Sequence, residues 1–339
     1  MSSTYIAGVS TYFGIYFGSP LFIFGIVGNL TNLRLLFPTR SNSTSFLLFV
    51  SSLFNLLALL IGLLPRVLTV GYGIDGSSTI LSWCHSRIML SYTGILISLT
   101  CICFASLDRY FVSCRSATWR NRSKLITTKI SIFIAILVII GINVPYLVFY
   151  TITVTKNTAK CVLNNPNLTL YSGYVVRPIL FCLMPGTILS IVGWLTYRNI
   201  TSITGIQQRG TFQRNLTSMI LLQIIVVIIP IIPFAVSNVY QLITASVIKS
   251  SFRAAVEQQV QDMTSIVFYG NNASNFYVYL ISSSSYRRDF LQFIQFWHNE
   301  DHWNNRVTPA TREQNELKET SARAQLQKSN YKINLENII

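Results

Sequence analysis

Residues 83–114 open with Trp83-Cys84-His85-Ser86-Arg87, run from Ile88 to Leu107 without Asp, Glu, Lys or Arg, and close with Asp108-Arg109-Tyr110 and the residues up to Cys114. A helix rises about 1.5 Å per residue, which puts Cys84 and Asp108 roughly 36 Å apart, slightly more than the roughly 30 Å apolar core of a bilayer. The two belong at opposite membrane faces. The run between them is apolar except for small hydroxyls, Ser91, Thr93, Ser98 and Thr100, which can bond their own helix or a neighbour. It reads as a span buried among other spans.

The rest of the chain shares that character. Of 339 residues, 51% are hydrophobic and only 11% charged, with a mean hydropathy of +0.47, whereas about a quarter of an ordinary soluble domain is charged. The net charge of +15 comes from Lys and Arg that fall in the gaps between apolar runs and in the tail. That distribution fits membrane topology rather than a phosphate-binding groove, so no nucleic acid partner is expected. Uncharged runs long enough to span a bilayer occur at 1–33, 41–65, 88–107, 130–155, 178–197, 215–248 and 263–286. Seven spans place the termini on opposite sides. Residues 1–33 lack the basic start of a cleavable signal, so the first span is expected to direct its own insertion.

The gaps set the orientation. With the N-terminus outside, the inner loops carry Arg34 and Arg40, then Arg109, Arg115, Arg120, Arg122, Lys124 and Lys129, then Arg198, Arg209 and Arg214, with Arg287 and Arg288 past the last span. The outer loops then carry Arg66, Arg87, Lys156, Lys160, Arg177, Lys249 and Arg253. The inner excess predicts a multi-pass cell-membrane protein with the N-terminus extracellular and the C-terminus cytoplasmic. On the outer side only Cys84 and Cys161 fall outside the apolar runs, where an oxidising compartment permits a bridge. The residues alone leave them as a bridge or as two separate thiols. Cys101, Cys103 and Cys182 lie within spans and Cys114 at an inner end, positions that suit packing.

Gly28-Asn29, Cys84, Asp108-Arg109-Tyr110, Cys161, Pro185, Pro233-Phe234 and Asn275-Phe276-Tyr277-Val278-Tyr279 follow one another along the chain. This ordered set resembles the rhodopsin-like (class A) G protein-coupled receptor family. The resemblance implies an all-α membrane fold, a seven-transmembrane helix bundle with a short amphipathic helix after the last span. It implies a G protein coupling and activation switch at Asp108, Arg109, Tyr110, Asn275 and Tyr279, with Arg109 contacting the transducer once released from Asp108. It also implies an interior polar network of Asn29, Asn55 and Ser98, a Cys84–Cys161 disulfide, and hinges at Pro185, Pro230 and Pro233, where a proline frees a backbone carbonyl.

The chain departs from the family pattern at several of these places. Asn55 stands where most members carry Asp, and a neutral amide cannot supply the negative charge of the family's sodium pocket. Pro230 and Ile231 replace its Cys-Trp pair, Phe276 replaces its proline, and Gly193 replaces a span-five Tyr. No acid lies near Gln213-Arg214, which leaves Asp108 as the nearer partner of Arg109. The Asn-Phe-Tyr-x-Tyr form of the last motif is similar to that of some invertebrate peptide receptors.

The implied function is binding of an extracellular ligand, a peptide or a small chemosensory molecule, and activation of a heterotrimeric G protein. The candidate ligand pocket is Arg87, Ser91, Tyr92, Phe234 and Tyr269. Ser91 stands where amine receptors carry Asp, and span seven has no Lys for a Schiff base. Arg66, Arg87, Lys156 and Arg177 hint at an acidic ligand. The alternative is a transporter or channel without G protein coupling; such proteins place ionisable groups at mid-membrane and often repeat their halves, and neither feature is present. The three His and the sparse acids form no recognisable catalytic set, so no enzyme and no cofactor are expected. His298 and His302 have the spacing of two metal ligands on a helix but no third ligand, so no metal is expected.

Asn167-Leu168-Thr169 is a glycosylation sequon on the outer side, while those at Asn121 and Asn215 fall inside and should be silent. The expected organisation is a short extracellular segment at 1–12, the bundle at 13–283, an amphipathic juxtamembrane helix at 284–297 and a polar cytoplasmic tail at 298–339, expected to be disordered.

Overall fold

Helices account for nearly all of the structure, a computed structural model that describes residues 3–114, 116–120, 123–155, 158–201 and 211–298. Six are long and apolar enough to cross a bilayer: α1 (Gly8–Leu36), α2 (Ser43–Tyr72), α3 (Leu81–Ser113), α4 (Leu125–Phe149), α5 (Pro166–Asn199) and α6 (Thr211–Ile243). The seventh column is jointed, made of α7 (Ser251–Phe268), α8 (Gly270–Ala273) and α9 (Asn275–Ser282). It begins at Ser251 rather than near residue 263, because α7 carries Arg253, Glu257 and Asp262, which end an uncharged run without ending a helix. The joints fall in Tyr269-Gly270-Asn271-Asn272-Ala273-Ser274, a sequence rich in poor helix formers. α10 (Ser284–His298) follows. The described residues up to Arg288 form one compact unit, and Asp289–His298 belong to a second.

Prolines shape three of the columns in the same way. The helix widens to π-type turns over Gly14–Gly18, Leu59–Leu63 and Ser172–Leu183, and Pro20, Pro65 and Pro185 each come two residues after. A proline donates no hydrogen bond and its ring collides with the carbonyl four residues back, and a wider turn accommodates both. Pro145, Pro230 and Pro233 instead sit inside unbroken α-helix.

One element is not helical. The chain leaves α4 as β1 (Tyr150–Thr155) and returns as β2 (Thr158–Leu163), an antiparallel hairpin with Ile152 opposite Cys161. The β-branched run Thr151-Ile152-Thr153-Val154-Thr155 favours strand over helix, so the expected all-α fold carries a two-stranded exception. The stretch expected as a segment ahead of the bundle, 1–12, is helical from Ser3, and its residues from Gly8 on already belong to α1.

The outward faces are apolar. α4 exposes Ile126, Ile130, Phe133, Ile134, Leu137 and Val138, which suits lipid as the surrounding solvent. α3 is the most enclosed of the six spans. Close approach rests on small residues: a Cβ on Gly94 would come 3.1 Å from Ala58 N and Phe54 O of α2, and one on Gly28 would come 2.9 Å from Phe276 Cβ of α9.

One expectation is corrected by the helix boundaries. Arg66, Arg87, Arg177 and Arg253, read from sequence as outer-loop charges, lie on α2, α3, α5 and α7. A scan for uncharged runs stops at the first guanidinium, but a helix does not, and the first three are half-buried.

Candidate functional site

At one end of α3, Asp108 and Arg109 are both buried, Arg109 to 1% exposure. Arg109 Nη2 lies 2.7 Å from Asp108 Oδ2. The same oxygen accepts from Thr44 Oγ1 at 2.5 Å, and Asp108 Oδ1 accepts from Ser123 Oγ at 2.5 Å. Thr44 is set in place by the α2 N-terminus, where the Asn42 side chain caps the helix by accepting from Thr44 N at 3.0 Å. Three elements thus converge on one carboxylate, which neutralises a guanidinium that burial would otherwise make costly. Tyr110 is half-buried and its carbonyl accepts from Ser113 Oγ at 2.7 Å, while Asn199 of α5 donates to that hydroxyl at 3.1 Å. The side chains of Gln213 and Arg214 lie outside the described residues, as do Asn121, the Asn215 side chain, Lys156, His302 and the tail beyond His298.

Mid-bundle, Asn29, Asn55 and Ser98 meet. Asn29 Nδ2 donates to Gly25 O and to Asn272 O, each at 2.8 Å. Asn55 Nδ2 donates to Asn29 Oδ1 at 3.2 Å, and Asn55 Oδ1 accepts from Ser98 Oγ at 2.5 Å and from Asn272 Nδ2 at 2.7 Å. Ser51 Oγ lies 3.0 Å from Ser98 Oγ. Asn55 therefore works as donor and acceptor at once, which a carboxylate could not do. One step along the seventh column, Asn275 Oδ1 accepts from Gln223 Nε2 of α6 at 2.7 Å. Tyr279 is fully buried and stacks edge-on against Tyr286, ring centroids 5.8 Å apart.

At the other end, Cys84 and Cys161 form a disulfide that ties α3 to β2. Beneath it Ser91 Oγ lies 3.2 Å from Tyr269 Oη, and Arg177 Nε donates to Tyr92 Oη at 3.4 Å. Phe234 stacks on Phe268 with centroids 4.4 Å apart, and Phe268 contacts Phe181, which meets Tyr92 edge-on at 5.0 Å. Phe268 of α7 thus joins the rings of α5 and α6. Arg87 Nη1 reaches Ser77 Oγ at 3.4 Å and lies in electrostatic reach of Tyr269. The predicted pocket residues gather in one region. Pro185 lies in α5 just past its wide turn, and Asn167 is exposed on the first turn of the same helix.

Sequence reasoning missed Thr44, Ser123, Gln223, Phe268 and Asn272. Gln223 and Asn272 carried a readable signal, amides within apolar runs; Thr44 and Ser123 carried none.

A bundle of seven helical columns with an apolar exterior and a buried polar interior defines a multi-span membrane protein. The family model described as 7 transmembrane receptor (rhodopsin family) matches residues 28–279, and the chain belongs to that family. It is a family of receptors, not of enzymes. A search of curated proteins returns no match.

Proposed function

We propose that the protein is a G protein-coupled receptor whose disulfide end is extracellular and whose Arg109 end faces the cytosol. A ligand at the disulfide end biases a two-state bundle, and opening at the other end admits a heterotrimeric G protein. The observation that carries this reading is the clasp on Arg109: a buried guanidinium held by Asp108, itself held by Thr44 from α2 and Ser123 from the stretch ahead of α4. Such a cation is stored rather than idle, because any movement of α2 or of residue 123 weakens the hold and lets it turn outward. Asn275, beside the joint of the seventh column and bonded to Gln223 of α6, and Tyr279, buried further along α9 against Tyr286, are the second half of the switch. Asn167 carries glycan on the extracellular side.

The test is nucleotide exchange on purified G protein with Arg109→Ala at matched surface expression. Loss of exchange is expected; undiminished exchange overturns the assignment. Tagging both termini and probing intact cells checks orientation, with only the N-terminal tag accessible.

A further inference from the structure

Three guanidiniums at the disulfide end face inward. Arg66 on α2 pairs with Asp262 of α7 at 2.9 Å. Arg87 on α3 and Arg177 on α5 form no ion pair among the described residues. Their polar contacts are single and long, 3.4 Å each, to Ser77 Oγ and Tyr92 Oη. All three act on one group of phenols: Tyr92 feels Arg177 and Arg66, Tyr269 feels Arg66 and Arg87, and Tyr150 feels Arg87 and Arg177. Arg66 and Arg87 also lie within electrostatic reach of each other. Among the described residues the acid near Arg87 is Asp75, which the guanidinium meets only through Ser77: Asp75 Oδ1 accepts from Ser77 N at 3.1 Å and from Ser77 Oγ at 2.5 Å.

This arrangement is not that of helix-end cations reaching back to the membrane surface. Such a side chain extends along its own helix toward water, whereas Arg177 reaches across to α3 and Arg66 across to α7. Arg177 has no acid partner among the described residues and Arg87 meets Asp75 only through Ser77, so these two beside the paired Arg66 leave an excess of positive charge over phenolic rings. A planar guanidinium presents paired N–H donors that match a carboxylate or phosphate, and such charge-assisted bonds are the strong ones. No acid stands at Ser91 to receive a cationic ligand.

Resting on the receptor reading above, we propose that the ligand is an anion whose carboxylate or phosphate oxygens bridge Arg87 and Arg177, its body lying against Tyr92 and Tyr269. The same oxygens compete with Asp262 for Arg66, which couples binding to α7.

The test uses the full chain in detergent and reads its Tm against succinate, citrate and inorganic phosphate, with choline at equal ionic strength as the cationic control. At least one anion raises Tm in a saturable manner and choline does not; succinate or citrate acting without phosphate marks a carboxylate ligand, and the reverse marks a phosphate. Arg87→Gln and Arg177→Gln weaken that apparent affinity about tenfold or more. Arg87→Lys and Arg177→Lys, which keep the charge and lose the fork, fall between. No shift from any of the three anions, an equal shift from choline, or full anion affinity in the Gln variants overturns the proposal. Nucleotide exchange on the same preparations separates the two readings. Exchange without anion binding removes the pocket and leaves the receptor; anion binding without exchange under any condition removes the receptor and leaves the pocket.

Discussion

Thr44 Oγ1 and Arg109 Nη2 meet on the same oxygen of Asp108, at 2.5 and 2.7 Å. Thr44→Ala removes one bond to a charged acceptor, a loss of about 1.5–3 kcal/mol, and does not touch the guanidinium. If the clasp holds the inactive state, basal nucleotide exchange rises on the order of tenfold at equal expression. Asp108→Asn should raise it further and lower Tm, because it leaves Arg109 buried without its counter-charge.

Asn55 donates to Asn29 and accepts from Ser98 and Asn272. Asn55→Asp turns the donor into an oxygen facing Asn29 Oδ1, a repulsive contact that a small cation between them relieves. The wild-type Tm should be indifferent to exchanging potassium for sodium, and the variant should be more stable in sodium. Equal sodium sensitivity in both would contradict the neutral-amide account.

The Cys84–Cys161 disulfide closes a loop with a sequence separation of 77 residues. On chain-entropy grounds such a closure is worth about 4.5 kcal/mol. Cys161→Ser, or reduction of the wild type, should lower Tm by a matching amount and free the hairpin, which protease accessibility at residues 150–163 would report.

Gly94 packs against backbone rather than against a flexible side-chain end, with Ala58 N and Phe54 O both 3.1 Å from a would-be Cβ. Gly94→Ala must push α2 and α3 apart, at about 1–3 kcal/mol. A lower Tm is expected without loss of helical circular dichroism.

The columns were legible because lipid demands long uncharged helices, and α3 was bracketed by Cys84 and Asp108. What hid the rest is the one-dimensional nature of charge. The run 130–155 swallowed β1, since strand and span share β-branched apolar residues there. Arg66, Arg87 and Arg177 read as loop residues because nothing in a sequence says which way a side chain at a helix end turns. Asn29, Asn55 and Ser98 could be grouped from their motifs, but Asn272 and Gln223, which complete the polar interior, needed the fold. Thr44 and Ser123 are invisible for a simpler reason: hydroxyls are common, and only the position of Asp108 gives these two a task.

The three widened turns all lie toward the disulfide end, where Gly14 of α1 sits against Gly71 of α2 and α5 begins just after β2. The two five-residue turns, Gly14–Gly18 and Leu59–Leu63, each insert one surplus residue, and everything beyond it is carried about 100° less far around the helix axis than a regular coil would carry it. Arg66 owes its aim at Asp262 to the surplus within Leu59–Leu63. Deleting any single residue of that pentad would swing the guanidinium to a different face, so a one-residue gap there should silence ligand response as thoroughly as removing the arginine, with every side chain of the pocket still present.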